Sequence, residues 1–122
     1  MNPDQRSQLF LRDMLTYAKH VQGFMAGVSR EDFELNTEKQ FAVVRALEVI
    51  GEAAKSVSDE YRALAPEIPW KQIAGMRDKL IHHYFGVRFD TVWAVATRDV
   101  DELVVHLEKL VNSFAPPNPK PD

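Results

Sequence analysis

The chain lacks cysteine, which excludes two ways of holding a small fold together. None of its 122 residues is a cysteine, so it can form neither disulfides nor thiolate metal sites. Long hydrophobic runs are also missing, and the polar start MNPDQRSQ does not resemble a signal peptide. Alternating apolar and polar residues, the pattern of β-strands, do not occur either. These absences favour a cytoplasmic, helical protein with no membrane span.

The size and composition predict one domain. With 45% hydrophobic residues in 122, the chain can build a single core but not two. We expect residues 1–115 to form one helical domain. The proline-rich residues 116–122 should form an extended or disordered tail.

Positive charge is scarce overall but locally concentrated. The formal net charge is −3, which argues mildly against a nucleic-acid partner. Between Lys71 and Arg88, however, four basic residues oppose one acidic residue, so this window carries +3 and the rest of the chain −6. The window is either a site for phosphate or an ordinary solvated helix face.

Apolar residues spaced by three and four predict the helices. We expect long helices over residues 5–25 and 37–57, a third from Pro69 to a cap at Gly86, and a fourth from an N-cap at Asp90. Asn36 or Thr37 should cap the second helix, which is apolar on several sides and should lie near the middle of the bundle. Ser29 should begin a short helical turn. A polar stripe on the second long helix is interpreted as structural, with pairing along the helix surface, in preference to a role beside the active site; it consists of Arg45, Glu48, Glu52 and Lys55. The predicted fold is all-α, an up-and-down bundle of four to five helices.

One segment of the third long helix carries a candidate site. Arg77, His82 and Tyr84 form the pattern R-x4-H-x-Y. An arginine and a histidine separated by four to six residues are expected by chance about 0.8 times in a chain of this composition. The full pattern, with a gap of four and a tyrosine two positions after the histidine, is expected only about 0.01 times. The pattern is therefore fairly specific.

These residues resemble the HEPN domains, in particular the HepT-like toxins that are paired with an MntA-like nucleotidyltransferase antitoxin. The resemblance spans nearly the whole chain. It includes the motif, the run GEAAK at residues 51–55, the Pro-Trp pair at 69–70, LIHHYFGV and the Val-Trp pair at 92–93. Many members have asparagine after the motif arginine, where this chain has Asp78.

The resemblance implies metal-independent RNA cleavage by attack of the ribose 2′-OH on its own phosphate. Arg77 would then stabilise the developing negative charge, and His82 would act as general acid or base. Tyr84 would be the residue that receives AMP from the nucleotidyltransferase, which blocks the site. Asp78 and Lys79 are supporting residues. We expect no cofactor and no metal, because adjacent histidines such as His82 and His83 diverge on a helix.

Helix geometry adds the expectation of a homodimer. Arg77 and Tyr84 lie about 20° apart around the helix axis, whereas Arg77 and His82 lie about 140° apart. One helix therefore provides a divided half-site, which a two-fold dimer can complete.

Two other interpretations remain open at this stage. The chain could be a non-catalytic module that binds nucleotide or substrate for a nucleotidyltransferase, or a purely structural dimeric bundle. Outside the motif, His20 and His106 should be structural or exposed. Four aromatic residues should pack in the core or an interface rather than stack on bases; these are Tyr17, Tyr61, Trp70 and Trp93.

Overall fold

The fold is a bundle of helices. A computed structural model describes residues 2–82 and 89–114, with the backbone alone for residues 81 and 82. These residues form helices and contain no strand, which confirms the predicted all-α class. The helices are α1 (Pro3–Met25), α2 (Arg30–Leu35), α3 (Thr37–Ser56), α4 (Asp59–Arg62), α5 (Trp70–His82), α6 (Phe89–Ala94) and α7 (Val100–Asn112), with a π-helical segment (Val95–Asp99) between α6 and α7.

Side-chain caps set the starts of the first three helices. The Asn36 side chain accepts a hydrogen bond from the Lys39 amide at 2.9 Å and so caps α3; of the two predicted caps, Asn36 and Thr37, the structure has Asn36. Ser29 caps α2 in the same way at 3.0 Å. Asn2 and Gln5 form a reciprocal capping box, and Pro3 suits the first turn. Helix α1 therefore begins two residues before its predicted start.

The core lies where α3 packs against α1 on one side and α5 on another, while α7 also packs against α1. The predicted apolar stripes of α1 and α3 are buried throughout, which confirms that α3 lies inside the bundle. The stripe residues are Leu11, Met14, Ala18, Val21 and Met25 in α1, and Val43, Leu47, Ile50, Ala54 and Val57 in and just after α3.

The last helical stretch differs from the prediction in two details. Asp90 was expected to be the N-cap, but α6 begins at Phe89, and Asp90 lies in the first turn, where its carboxylate pairs with Arg30. A carboxylate in the first turn is favourable because it faces the positive end of the helix dipole. The π-helical segment was not predicted. Within it, the Thr97 hydroxyl donates to the Trp93 carbonyl at 2.7 Å, a bond that competes with the regular helix pattern.

The connection between α3 and α5 contains the short helix α4, which the sequence pattern did not predict. Ser58 caps it by accepting from the Tyr61 amide. The predicted cap at Gly86 and the predicted tail at 116–122 lie outside the described residues. In the part of the chain that is described, no helix is long and apolar enough to cross a membrane.

Candidate active site on helix α5

Helix α5, which carries the candidate motif, is anchored at its start by Trp70. This side chain is 9% exposed, and its indole nitrogen donates to the Ala65 carbonyl at 3.1 Å. Ile73 and Leu80 are buried further along the helix. A satisfied indole and two apolar anchors fix how α5 is rotated on the bundle. The residues between these anchors therefore have defined positions.

A close approach of two helices places Arg77. A Cβ atom added to Gly51 of α3 would lie 2.3 Å from the Arg77 Cβ and 3.0 Å from the Ile73 carbonyl oxygen. Such distances are too short for any side chain, so only glycine permits this contact. The glycine of the GEAAK run thus has a structural role, which is to let α5 pack against α3 at the motif arginine.

Two cations meet one carboxylate at this contact. Arg77 Nη1 donates to Asp78 Oδ1 at 3.1 Å, and Lys55 Nζ of α3 donates to the same oxygen at 3.0 Å. The hydrogen bonds from Lys55 and Arg77 lower the pKa of the Asp78 carboxyl below its ordinary value. Asp78 is therefore a carboxylate at neutral pH, and the three side chains together carry one positive charge.

The Arg77 side chain is partly withdrawn from water. It is 24% exposed, and within the described residues its buried Nε has no hydrogen-bond partner. A cation in a partly desolvated setting attracts an anion more strongly than one in bulk water. Since its Nη1 reaches the exposed carboxylate of Asp78, this end of the guanidinium stands at the edge where a phosphate could bind.

The other predicted site residues lie apart from this cluster or outside the described structure. Lys79 is exposed and lies on another face of α5, where it lines an adjoining groove. His82 ends α5, but only its backbone is described. Tyr84 lies outside the described residues. The structure thus brings together Arg77 and Asp78, and the predicted orientation of His82 and Tyr84 relative to them stays a prediction.

Lys55 has a different ion-pair partner from the one that the sequence interpretation gave it. The polar stripe of α3 was expected to pair along its own helix, and Arg45 does pair with Glu48 at 3.1 Å. Lys55 instead crosses to α5 and Asp78. A signal was present in the sequence, because Lys55 lies one helical turn after Gly51 and so on the same face. The spacing of residues within α3 could not show that this face packs against α5.

An apolar groove of about 610 Å³ lies beside α5, across from the π-helical segment and α7. Its floor includes Ile50, Ile73, Val100 and Leu103, and polar groups stand among its lining. His106, one of the histidines expected to be structural or exposed, lines this groove. Its Nδ1 lies 3.8 Å from Oε1 of Glu67.

Two of the aromatic residues outside the motif, Trp93 and Tyr61, pack against other rings. Trp93 contacts the buried Phe33, with ring centres 5.8 Å apart, and Tyr61 contacts Phe114 edge to face at 5.7 Å. These contacts, with the burial of Trp70, confirm for these three residues the prediction that they pack against the core. Among the described residues, no group of three or more histidine, aspartate or glutamate side chains could hold a metal ion.

The fold and the cluster at Arg77 define a class: a small helical-bundle protein with a basic, solvent-reachable site where α5 crosses α3. Comparison with known proteins identifies the family. Residues 14–110 match the family model described as "Ribonuclease HepT-like". The chain belongs to this family, in agreement with the resemblance of its motif.

Several curated proteins are similar over most of their length. A protein of Methanocaldococcus jannaschii named "Putative RNase" is 42% identical over 112 residues, which is 92% of this chain and 97% of that protein. A second protein of that organism with the same designation is 43% identical over 112 residues, or 92% and 93% of the two chains. A "Probable ribonuclease HepT" from Thermococcus cleftensis is 43% identical over 101 residues, or 83% and 92%. No solved structure matches the chain.

Proposed function

We propose that this protein is a metal-independent endoribonuclease and the toxin of a toxin–antitoxin pair. Family membership supports ribonuclease activity. The observation that carries the proposal is the position of Arg77, which lies at the close contact of α5 with Gly51 and has a side chain that is 24% exposed. A cation held in this way suits the charge that builds up on a phosphate during transfer.

The proposed reaction needs a general acid or base and a cation from the protein. The ribose 2′-oxygen attacks the adjacent phosphorus and forms a bond to it, while the bond from phosphorus to the 5′-oxygen breaks. His82 takes the proton of the 2′-OH or supplies one to the departing 5′-oxygen, and water carries out the other of these two proton transfers. Arg77 stabilises the negative charge on the phosphate oxygens in the transition state. The products are a 2′,3′-cyclic phosphate and a free 5′-OH.

Assembly and regulation form the rest of the proposal. A homodimer would bring an arginine from one α5 and a histidine from the other to the same phosphate, since an ideal helix separates these two sequence positions by about 140°. A cognate nucleotidyltransferase of the MntA type would act as antitoxin by transferring AMP to Tyr84. The added phosphate would place negative charge beside the site and repel RNA.

Cleavage assays with two variants test the proposed activity. Arg77→Ala and His82→Ala should each lower RNA cleavage by about a hundredfold or more, as the loss of a charge-stabilising or proton-transferring group does. They should also abolish growth inhibition. The wild type should remain active in EDTA and leave a 2′,3′-cyclic phosphate end.

Arg45→Ala is a matched control, because Arg45 is an exposed arginine on α3 that pairs with Glu48. It should retain full activity. All variants should keep the circular dichroism and elution volume of the wild type. Unchanged cleavage by Arg77→Ala would reject the assignment. Nucleotide or partner binding without any cleavage by the wild type would instead favour the non-catalytic binding module.

A further inference from the structure

We propose that Lys55 of α3 binds an RNA phosphate together with Arg77, and that Asp78 holds the two cations side by side until RNA replaces it. This inference rests on the proposed function, because it names a further substrate-binding residue of the same site. Lys55 lies outside the R-x4-H-x-Y motif and on a different helix.

The geometry of the cluster is the first argument. Lys55 Nζ and Arg77 Nη1 lie 3.0 and 3.1 Å from the same oxygen, Oδ1 of Asp78. Two donors on one anionic oxygen are what a non-bridging phosphate oxygen also needs. The carboxylate of Asp78 thus stands where a phosphate oxygen of RNA can bind.

The position of Lys55 is fixed by the same contact that fixes Arg77. Lys55 follows Gly51 by one helical turn, so both face α5. Since the Gly51 contact admits no side chain, the distance between the backbones of Lys55 and Arg77 is set by helix packing. A preorganised pair of cations loses less entropy on binding than two mobile ones.

Lys55 is not needed to cap its own helix. A lysine in the last turn of a helix can serve the free carbonyls there. In this protein Arg62 does so, with its Nη2 donating to the Ala54 carbonyl at 2.9 Å and to the Lys55 carbonyl at 3.4 Å. The Lys55 ammonium therefore remains directed to the site.

The cluster is also open enough to exchange its carboxylate for a phosphate. The side chains of Lys55 and Asp78 are 44% and 48% exposed. Ion pairs exposed to this degree add little to stability, so replacing one anion by another costs little. The net positive charge of the cluster attracts the RNA backbone, which carries one negative charge on each phosphate along the strand.

Binding of an RNA that cannot be cut tests the inference separately from cleavage. A single-stranded 2′-O-methyl RNA oligonucleotide has no 2′-OH to attack phosphorus, so wild-type protein can be titrated with it. Lys55→Ala should weaken binding by about three- to tenfold and lower the slope of log affinity against log salt by about 0.7, the loss of one phosphate contact. Lys55→Arg should restore both values, and Arg45→Ala should match the wild type.

Asp78→Ala separates direct binding from mere positioning. If Lys55 touches phosphate, Asp78→Ala should bind RNA more tightly than the wild type, because the carboxylate that competes with phosphate is gone, and adding Lys55→Ala should still weaken binding. If Lys55 acts only through Asp78, Asp78→Ala alone should reproduce the loss and the second change should add nothing, which overturns the inference.

The outcomes for the two proposals can be told apart. If the wild type cleaves RNA but Lys55→Ala has the same affinity and salt slope as the wild type, the role of Lys55 is overturned and the ribonuclease proposal stands. Binding that depends on Lys55, without any cleavage by the wild type, overturns the ribonuclease and leaves the phosphate site. A wild type that binds no RNA overturns both.

Discussion

The interfaces that α3 makes with α1 and with α5 differ in the residues that form them. Helix α1 brings an unbroken stripe of buried apolar side chains to the core, with Leu11, Met14 and Val21 fully buried. Helix α5 approaches α3 through Gly51, which has no side chain, and an exposed ion pair joins the two helices. The first interface suits stability, because buried apolar area provides most of the folding free energy. The second suits the placing of charged groups at the surface.

The largest expected effect on stability lies at the α1 interface. Leu11→Ala should lower the free energy of unfolding by about 2–5 kcal/mol, because it removes a side chain that is 0% exposed and leaves a cavity. Urea unfolding monitored by circular dichroism measures this. The folded fraction should still bind and cut RNA as the wild type does. A loss of activity per folded molecule would mean that the α1 interface also affects the site, contrary to the distinction drawn between the two interfaces.

An intermediate effect is expected at the α5 interface. Gly51→Ala should lower the free energy of unfolding by about 1–3 kcal/mol, since its Cβ would meet the Arg77 Cβ at 2.3 Å and force the helices apart. Unlike Leu11→Ala, it should also lower cleavage per folded molecule by displacing Arg77. Thermal unfolding and single-turnover cleavage measure the two effects.

Gly23→Ala in α1 is the matched control for Gly51. A Cβ at Gly23 meets nothing within 4 Å among the described residues, so alanine should stabilise the helix by up to about 1 kcal/mol. Cleavage should be unchanged. If Gly51→Ala also proved stabilising and fully active, the close contact between α3 and α5 would be refuted.

The smallest effect concerns acid stability. The folded-state pKa of Asp78 is lowered, chiefly by Lys55 and then by Arg77. Its contribution to stability is therefore present above the ordinary aspartate pKa and is lost as the pH falls through the lower folded-state value. Asp78→Asn should reduce the dependence of unfolding free energy on pH below about 4.

Asp101→Asn provides the comparison, because the Asp101 carboxylate accepts a hydrogen bond from the neutral amide of Gln22 at 2.9 Å rather than from a cation. Chemical unfolding between about pH 2 and pH 6 compares the two variants. At acid pH, Asp78→Asn should reduce the slope of unfolding free energy against pH more than Asp101→Asn does. Equal slopes would mean that the cations hold Asp78 too weakly to matter.

Sequence patterns predict those parts of the fold that depend on local spacing. The stripe of α1, the cap at Asn36 and the start of α5 after Pro69 follow from rules that act within a few residues. The π-helical segment does not, because the hydroxyl of Thr97 could remain in water as readily as bond to Trp93. The four-residue helix α4 is too short to produce a period.

The candidate site divides in the same way. Arg77 and Asp78 are evident from the motif, because they are neighbours on one helix. Lys55 is separated from Asp78 by 23 positions, and its charge fits pairing along α3 equally well. Only the packing of two helices at Gly51 decides between these partners. Residues that meet across a helix crossing require the structure.

The most direct test of the account is the rate at which folded protein cuts RNA in EDTA with Arg77 present or replaced. The account predicts that Arg77→Ala, at the same folded fraction as the wild type, cleaves at least about a hundredfold more slowly, with no 2′,3′-cyclic phosphate product above background. Equal rates for the two proteins would contradict it.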